Sequence, residues 1–199
     1  LFDLDGVLID SSASAARHWG MFAAEYGLDL AAVIARIPGR RAIDSVREFI
    51  PDASEAEMAS AAAAQERAAL GDHEGVVALP GARGLLRALA GRGWAVVTSS
   101  PRDLATVRLG VTGLPRPPVL IAAEDVSAGK PDPEPYLRAA TRLGAEPPAC
   151  TVFEDAPAGI AAARAAGMQV LALSTSHSAA ELSSLADGVV PDLAAVRIG

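Results

Sequence analysis

From about residue 80 onward, short apolar runs alternate with stretches of helical period. "WAVVTS" (94–99), "PVLIAA" (118–123), "ACTVFE" (149–154) and "MQVLALS" (168–174) read as strands buried on both faces. Helices are predicted between them in "PRDLATVRLG", "PEPYLRAATRLG" and "PAGIAAARAAG", with a short helix near 178–186 and a strand near 188–190. This alternation predicts βαβ units and a parallel sheet covered on both faces. The opening "LFDLD" reads as one more strand, central in the sheet because its apolar character is unbroken. Residues 11–79 differ: no strand is evident, and helices are predicted at 12–26, 29–37, 41–50 and 54–70, separated by Gly27, Pro38-Gly39 and Pro51-Asp52. Ser54 with Glu57 three residues on is a capping-box signal for the last of them. The fold class is therefore α/β, with a three-layer parallel-sheet core from residues 1–11 and 79–199 and an all-helical insertion over 12–78.

Composition narrows the function more by exclusion than by assertion. At 199 residues and 51% hydrophobic, the chain can bury one core plus an insertion. A formal net charge of −7 argues against nucleic acid or an anionic membrane surface as partner. No apolar run reaches the ~18–20 residues that span a bilayer. No signal peptide is visible in a sequence that opens without methionine. Cys150 is the only cysteine, so an internal disulfide is impossible, a reducing cytoplasm fits, and the thiol reads as a small buried hydrophobe. The 17 basic residues comprise 16 arginines and one lysine, Lys130, which marks that position for attention.

The chemistry gathers at the predicted strand ends. Asp3 and Asp5 end the first strand and Glu154 and Asp155 end the fourth, while Thr98 and Lys130 lie at the ends between. Four acids at the ends of buried strands repel one another unless a cation shares the site, and hard oxygen ligands favour Mg²⁺. Three helix starts, at "TSSPRD", "GKPDPEPY" and "FEDAPAG", combine an early proline with a polar residue before it. Ser99 or Ser100 is the expected cap of the first and Asp132 of the second. Ligands of open parallel sheets sit at the strands' carboxyl ends, so these starts are expected to present N–H groups to one anion.

The motifs "DLDGV", "VVTSS", "GKPDPEPY" and "FEDAPAG", in this order, resemble those of the haloacid dehalogenase superfamily of phosphohydrolases, and the likeness covers essentially the whole chain. It implies a Rossmann-like core with an α-helical cap, and the sequence is closest to the glycerol-phosphatase and 2-deoxyglucose-6-phosphatase branch. The resemblance assigns Asp3 as the nucleophile that forms an aspartyl-phosphate. Asp5 becomes the general acid and base. Mg²⁺ is expected on Asp3, the backbone carbonyl of Asp5 and Asp155, with Glu154 either a further ligand or a group that orients waters. Thr98 and the backbone N–H of Ser99 would bind the phosphoryl oxygens, and Lys130 would neutralise Asp3 and the transferring group.

Within such a family the residues separate the reactions. Relatives that cleave carbon–halogen bonds lack the second aspartate, which is present here as Asp5. Phosphonate-cleaving relatives replace that aspartate and add a cap lysine, and residues 12–78 contain no lysine. Hexose-phosphate mutases carry a histidine twelve residues after the nucleophile, where this chain has Ala15. Arg40 and Arg41 in "IPGRRAID" are candidates to face the substrate and could hold a second phosphate, which keeps a mutase as the alternative. A catalytically idle member that binds a phosphorylated ligand is the other. His18, His73 and His177 match no motif and read as structural or exposed; Trp19 reads as cap core. The expected partner is a small phosphorylated metabolite, with the chain a monomer or weak dimer.

Overall fold

Short runs of Val, Ile, Leu and Phe supply the strands, and Ala-rich amphipathic stretches supply the helices. The structure, a computed structural model, describes residues 1–197. Its regular elements are β1 (Ile9–Asp10), α1 (Ser12–Glu25), α2 (Leu30–Arg36), α3 (Ala42–Phe49), α4 (Glu55–Gly71), β2 (Val77–Ala78), α5 (Ala82–Ala88), β3 (Ala95–Val97), α6 (Arg102–Val111), β4 (Val119–Ile121), α7 (Glu134–Leu143), β5 (Thr151–Glu154), α8 (Pro157–Ala165), β6 (Gln169–Leu173), α9 (Ala179–Leu182) and β7 (Gly188–Val190). None of these helices is long and apolar enough to cross a membrane.

The sheet is parallel. β3 pairs with β4, and β5, β6 and β7 pair in sequence. The opening segment joins the two halves, because Phe2 bridges Val96 on one side and Phe153 on the other. Phe2 N–H donates to Ala95 O at 2.9 Å, and Asp3 N–H donates to Phe153 O at 3.0 Å. Numbered by appearance within the sheet, the strand order is thus 3-2-1-4-5-6. In this order the connections diverge between the first and fourth strands, which opens a crevice beyond their carboxyl ends. Asp3 and Asp5 leave the first strand there, and Glu154 and Asp155 leave the fourth.

One face of the sheet buries Tyr136, Ile121, Val152 and Ile160, and the other Leu8, Leu86, Val96 and Leu109. Phe2 stacks on Phe153 with ring centroids 4.7 Å apart, which anchors the short first strand. The helical insertion has its own core of Trp19, Phe22, Val33, Val46 and Met58. It is tied down beside the crevice: Ser99 Oγ donates to Gly39 O at 2.8 Å, Arg41 Nη1 to Ser127 O at 3.3 Å, and α4 packs against α6. The chain is an α/β protein with a Rossmann-like core and a helical cap. The return from the cap contains a strand that the sequence pattern does not show. Val77–Ala78 pairs antiparallel with Ile9–Asp10, so the two crossings between cap and core run side by side. Two-residue strands are too short for any period to register.

Candidate active site

At the bottom of the crevice lies a buried ion cluster. Lys130, 2% exposed, places Nζ 2.6 Å from Asp3 Oδ1 and 2.6 Å from Glu154 Oε1, and donates a third hydrogen bond to Val97 O at 3.1 Å. Burial opposes the lysine's charge, but the two carboxylates beside it prevail and its pKa is raised. Glu154 is fully engaged: Oε1 also accepts from the Tyr136 hydroxyl at 2.6 Å, and Oε2 accepts the N–H groups of Asp155 and Ala156. One lysine therefore serves two acids, and burial together with the surplus negative charge raises the neighbouring carboxyls. Burial, with Glu154 and Asp5 adding to it against Lys130, pushes the Asp3 carboxyl up to about 7. Burial and the neighbouring Glu154 and Asp3 raise Asp155 well above the carboxylate range.

These residues suit a divalent cation. Asp3, Glu154 and Asp155 each bring a carboxylate oxygen within 4.8 Å of the others. Asp155 Oδ1 is buried without a hydrogen-bond partner among the described residues, a costly state that a cation would relieve. Gly6 leaves room for that carboxylate: its φ is +82°, and a Cβ there would stand 1.9 Å from Asp155 Oδ2. Ser176 Oγ fixes the loop below by donating to Asp155 O at 2.8 Å.

Asp5 sits at the rim of the cluster. Its Oδ1 accepts from Ser11 Oγ at 2.6 Å and from Arg108 Nη1 at 2.6 Å, and its Oδ2 from Ser100 Oγ at 3.2 Å. Sequence reading missed Arg108. Its signal was available, because Leu104, Ala105, Arg108 and Leu109 share the buried stripe of α6 and an arginine on such a stripe demands an acid. Tyr136 was missed too, since an aromatic in the first turn of α7 reads as core.

The helix starts correct an expectation. Two of the three expected to face an anion are met by the chain's own acids. Arg102 N–H at the start of α6 donates to Glu124 at 3.1 Å, and Asp132 accepts from Glu134 N–H at 2.8 Å at α7. Glu154 takes the N–H groups of Asp155 and Ala156, which precede Pro157, the first helical residue of α8. The start of α7 does not line the crevice at all. Neither Ser99 nor Ser100 caps α6: their hydroxyls go to Gly39 and Asp5, and Pro101 occupies the cap position.

Above the cluster the crevice widens into a cleft of about 490 Å³ between core and cap. Asp3, Asp5, Thr98, Ser99 and Asp155 line its floor. The Thr98 hydroxyl accepts from Ser100 N–H at 3.1 Å, and the Ser99 backbone N–H has no partner among the described residues. Of the two candidate arginines of the cap, Arg40 lines the cleft but pairs with Glu48. Arg41 does not line it; its guanidinium grips Asp44 at 2.7 and 3.0 Å. An acid three residues on, in the first turn of α3, outcompetes any more distant ligand. Trp19 packs on Phe22 in the cap core and also borders the cleft, as does His18.

The chain is similar to known proteins. The family described as haloacid dehalogenase-like hydrolase matches residues 1–167. Hexitol phosphatase A of Escherichia coli is 45% identical over 175 residues, covering 87% of this chain and 81% of that protein. Glycerol-1-phosphate phosphohydrolase 1 of Saccharomyces cerevisiae is 35% identical over all of this chain and 84% of its own length. The crystal structure of a hydrolase from Pseudomonas syringae superposes with a TM-score of 0.88 at 26% identity, over 97% of this chain and 93% of that one. With the strand order, the acid cluster and its lysine already in place, the match over most of the sequence means that this chain belongs to the haloacid dehalogenase-like hydrolase family.

Proposed function

We propose that the chain is a Mg²⁺-dependent phosphatase that hydrolyses a small phosphomonoester, a glycerol phosphate or sugar phosphate, through an aspartyl-phosphate on Asp3. One observation carries this reading: Asp3 has one oxygen held by Lys130, while Oδ2 has no hydrogen bond from the described residues and the side chain lines the cleft floor. In the first step an Asp3 oxygen bonds to phosphorus, the bond to the leaving oxygen breaks, and Asp5 gives that oxygen a proton. Ser11 and Arg108 fix the Asp5 carboxyl through Oδ1, so Oδ2 is the atom that would carry the proton. In the second step water attacks phosphorus, Asp5 takes its proton, and the bond to Asp3 breaks. Thr98 Oγ1 and the Ser99 N–H supply donors for the phosphoryl oxygens, while Lys130, its three protons engaged, offsets charge through Asp3.

Asp3, Asp155 and the Asp5 carbonyl would hold Mg²⁺, with Glu154 acting through Lys130 and the Asp155 and Ala156 N–H groups because its oxygens already accept four hydrogen bonds. When bound, Mg²⁺ offsets the charge of the acids and of the transferring phosphoryl group. The cap, residues 12–78, excludes water and contributes the upper cleft wall. A second phosphate finds little to hold it. Arg40 and Arg108 are the arginines that line the cleft, and each is already paired, with Glu48 and Asp5. Together with Ala15 at the position of the mutase histidine, this favours hydrolysis over the mutase reaction. Phosphate release from glycerol phosphates and sugar phosphates in the presence of Mg²⁺ tests the proposal. Release should vanish in Asp3→Asn and on chelation; an inactive wild type that still binds these esters would establish the idle binding member instead.

A further inference from the structure

The loop between β6 and α9 reaches across the end of the sheet. β6 pairs with β5, and β5 with the opening segment, so β6 lies two strand spacings, about 10 Å, from Asp3. Still, Thr175 at the end of β6 donates its hydroxyl to Gly6 O. The next residue holds the neighbouring loop. Ser176 Oγ donates to Asp155 O at 2.8 Å, and His177 Nδ1 stands 3.1 Å from the same oxygen and 2.9 Å from Ser176 Oγ. Consecutive residues thus grip the two loops that carry the expected metal-binding groups. Gly6 directly follows Asp5, whose carbonyl is one of them, and Asp155 supplies its carboxylate.

Little else ties these loops to each other. The hydrogen bonds between the opening segment and β5 end where Asp3 N–H meets Phe153 O, and Lys130 bridges Asp3 and Glu154 at the base. Beyond that point no hydrogen bond among the described residues joins residues 4–6 directly to residues 154–156. The two loops are nevertheless in contact, since a Cβ on Gly6 would stand 1.9 Å from Asp155 Oδ2. Any slip between them therefore changes the spacing of the Asp5 carbonyl and the Asp155 carboxylate, and the crowded acids favour such a slip. Thr175 and Ser176 oppose it through backbone carbonyls alone. They leave the ligating atoms untouched: the Asp5 carbonyl and Asp155 Oδ1 have no hydrogen bond among the described residues.

We infer that Thr175 and Ser176 are positioning residues for the divalent cation, a strap that holds the Gly6 and Asp155 backbones together and so presets the spacing of the metal site. The inference rests on the metal-dependent phosphatase reading above and adds to it residues that touch neither metal nor substrate. Loops free to spread must be drawn together on binding, so affinity falls with the fraction of molecules that hold the right spacing. Partners behind metal ligands are commonly worth about 10–100-fold in affinity. The test is binding of Mn²⁺, a hard divalent stand-in for Mg²⁺, followed without substrate through the free-ion signal in electron paramagnetic resonance. The double variant Thr175→Val/Ser176→Ala should bind at least about tenfold more weakly than the wild type. Thr175→Ser/Ser176→Thr, which keeps both hydroxyls, should recover most of that loss. Thr106→Val, which deletes an exposed hydroxyl bonded to Arg102 O outside the cleft, should bind like the wild type. A smaller folded fraction lowers the stoichiometry and not the affinity, so a merely structural role would leave this readout unmoved. Wild-type affinity in the double variant, or equal losses with and without the hydroxyls, overturns the strap. Absence of Mn²⁺ binding by the wild type refutes the metal site and the strap with it. Binding as expected with no phosphate release from any ester refutes the phosphatase reading and leaves the strap standing.

Discussion

Replacing Lys130 by methionine removes the one cation that two buried carboxylates share. The side chains of Lys130, Asp3 and Glu154 are 1%, 4% and 0% exposed, so water cannot take over the lysine's role. The variant loses two charge-assisted hydrogen bonds of 2.6 Å and one to Val97 O, and it leaves Asp3 and Glu154 facing each other uncompensated. Breaking a buried pair in this way costs about 3–5 kcal/mol, a large part of a domain's stability. Urea unfolding at neutral pH with a chelator present, followed by tryptophan fluorescence and circular dichroism, measures it. Two controls sharpen the assignment. Tyr136→Phe, which removes one of the four hydrogen bonds to Glu154, should cost only about 1 kcal/mol. Adding Asp3→Asn to the Lys130→Met protein should recover about 1–2 kcal/mol, because it deletes one of the two stranded charges. A loss below about 1 kcal/mol for Lys130→Met, or further destabilisation by the added Asp3→Asn, would refute the account of the cluster as two buried acids held by one lysine.

Gly6→Ala should lose about 2 kcal/mol or more and weaken Mg²⁺ binding in a calorimetric titration, since the new Cβ needs both a left-handed backbone and the space of the Asp155 carboxylate. The hydrogen bonds of Arg17 lower the Asp72 carboxyl to about 2, below its ordinary 3.8. A folded pKa below the unfolded one adds stability that is present above about pH 4 and fades as pH falls toward 2. Thermal unfolding of wild type and Arg17→Met across this range should therefore show a gap that closes on acidification; a gap independent of pH would exclude the ion pair as its source. Arg41→Ala, which removes a guanidinium held by Asp44 outside the cleft, should change KM for the substrate by less than about threefold in steady-state assays.

Much of the fold and of the candidate site is legible in the chain. The β-to-α alternation after residue 80 and the cap helices are visible because a helix or buried strand of several residues writes its period locally. The opening strand was legible as buried, though its place between β3 and β5 is a matter of pairing. The cluster of Asp3, Lys130, Glu154 and Asp155 could be anticipated because acids at strand ends must be balanced and only one lysine is available. The helix starts show the opposite limit. Proline and a polar residue announce where a helix begins, but not which acceptor its N–H groups find, and at α6 and α7 Glu124 and Asp132 found them first.

By itself the sequence determined what depends on neighbours along the chain and on charge balance: an α/β core, an inserted helical cap, and acids that require a cation and a lysine. The tertiary structure alone decided which distant side chains share one cavity. His18, Gln65 and Arg108 look like ordinary helix residues in their own segments. Packing brings all three to line the one cleft, while Arg41, the more conspicuous candidate, spends its charge on Asp44. Local periodicity carries the direction of a side chain within its helix, but not the identity of what it meets across 50 or 100 residues of chain.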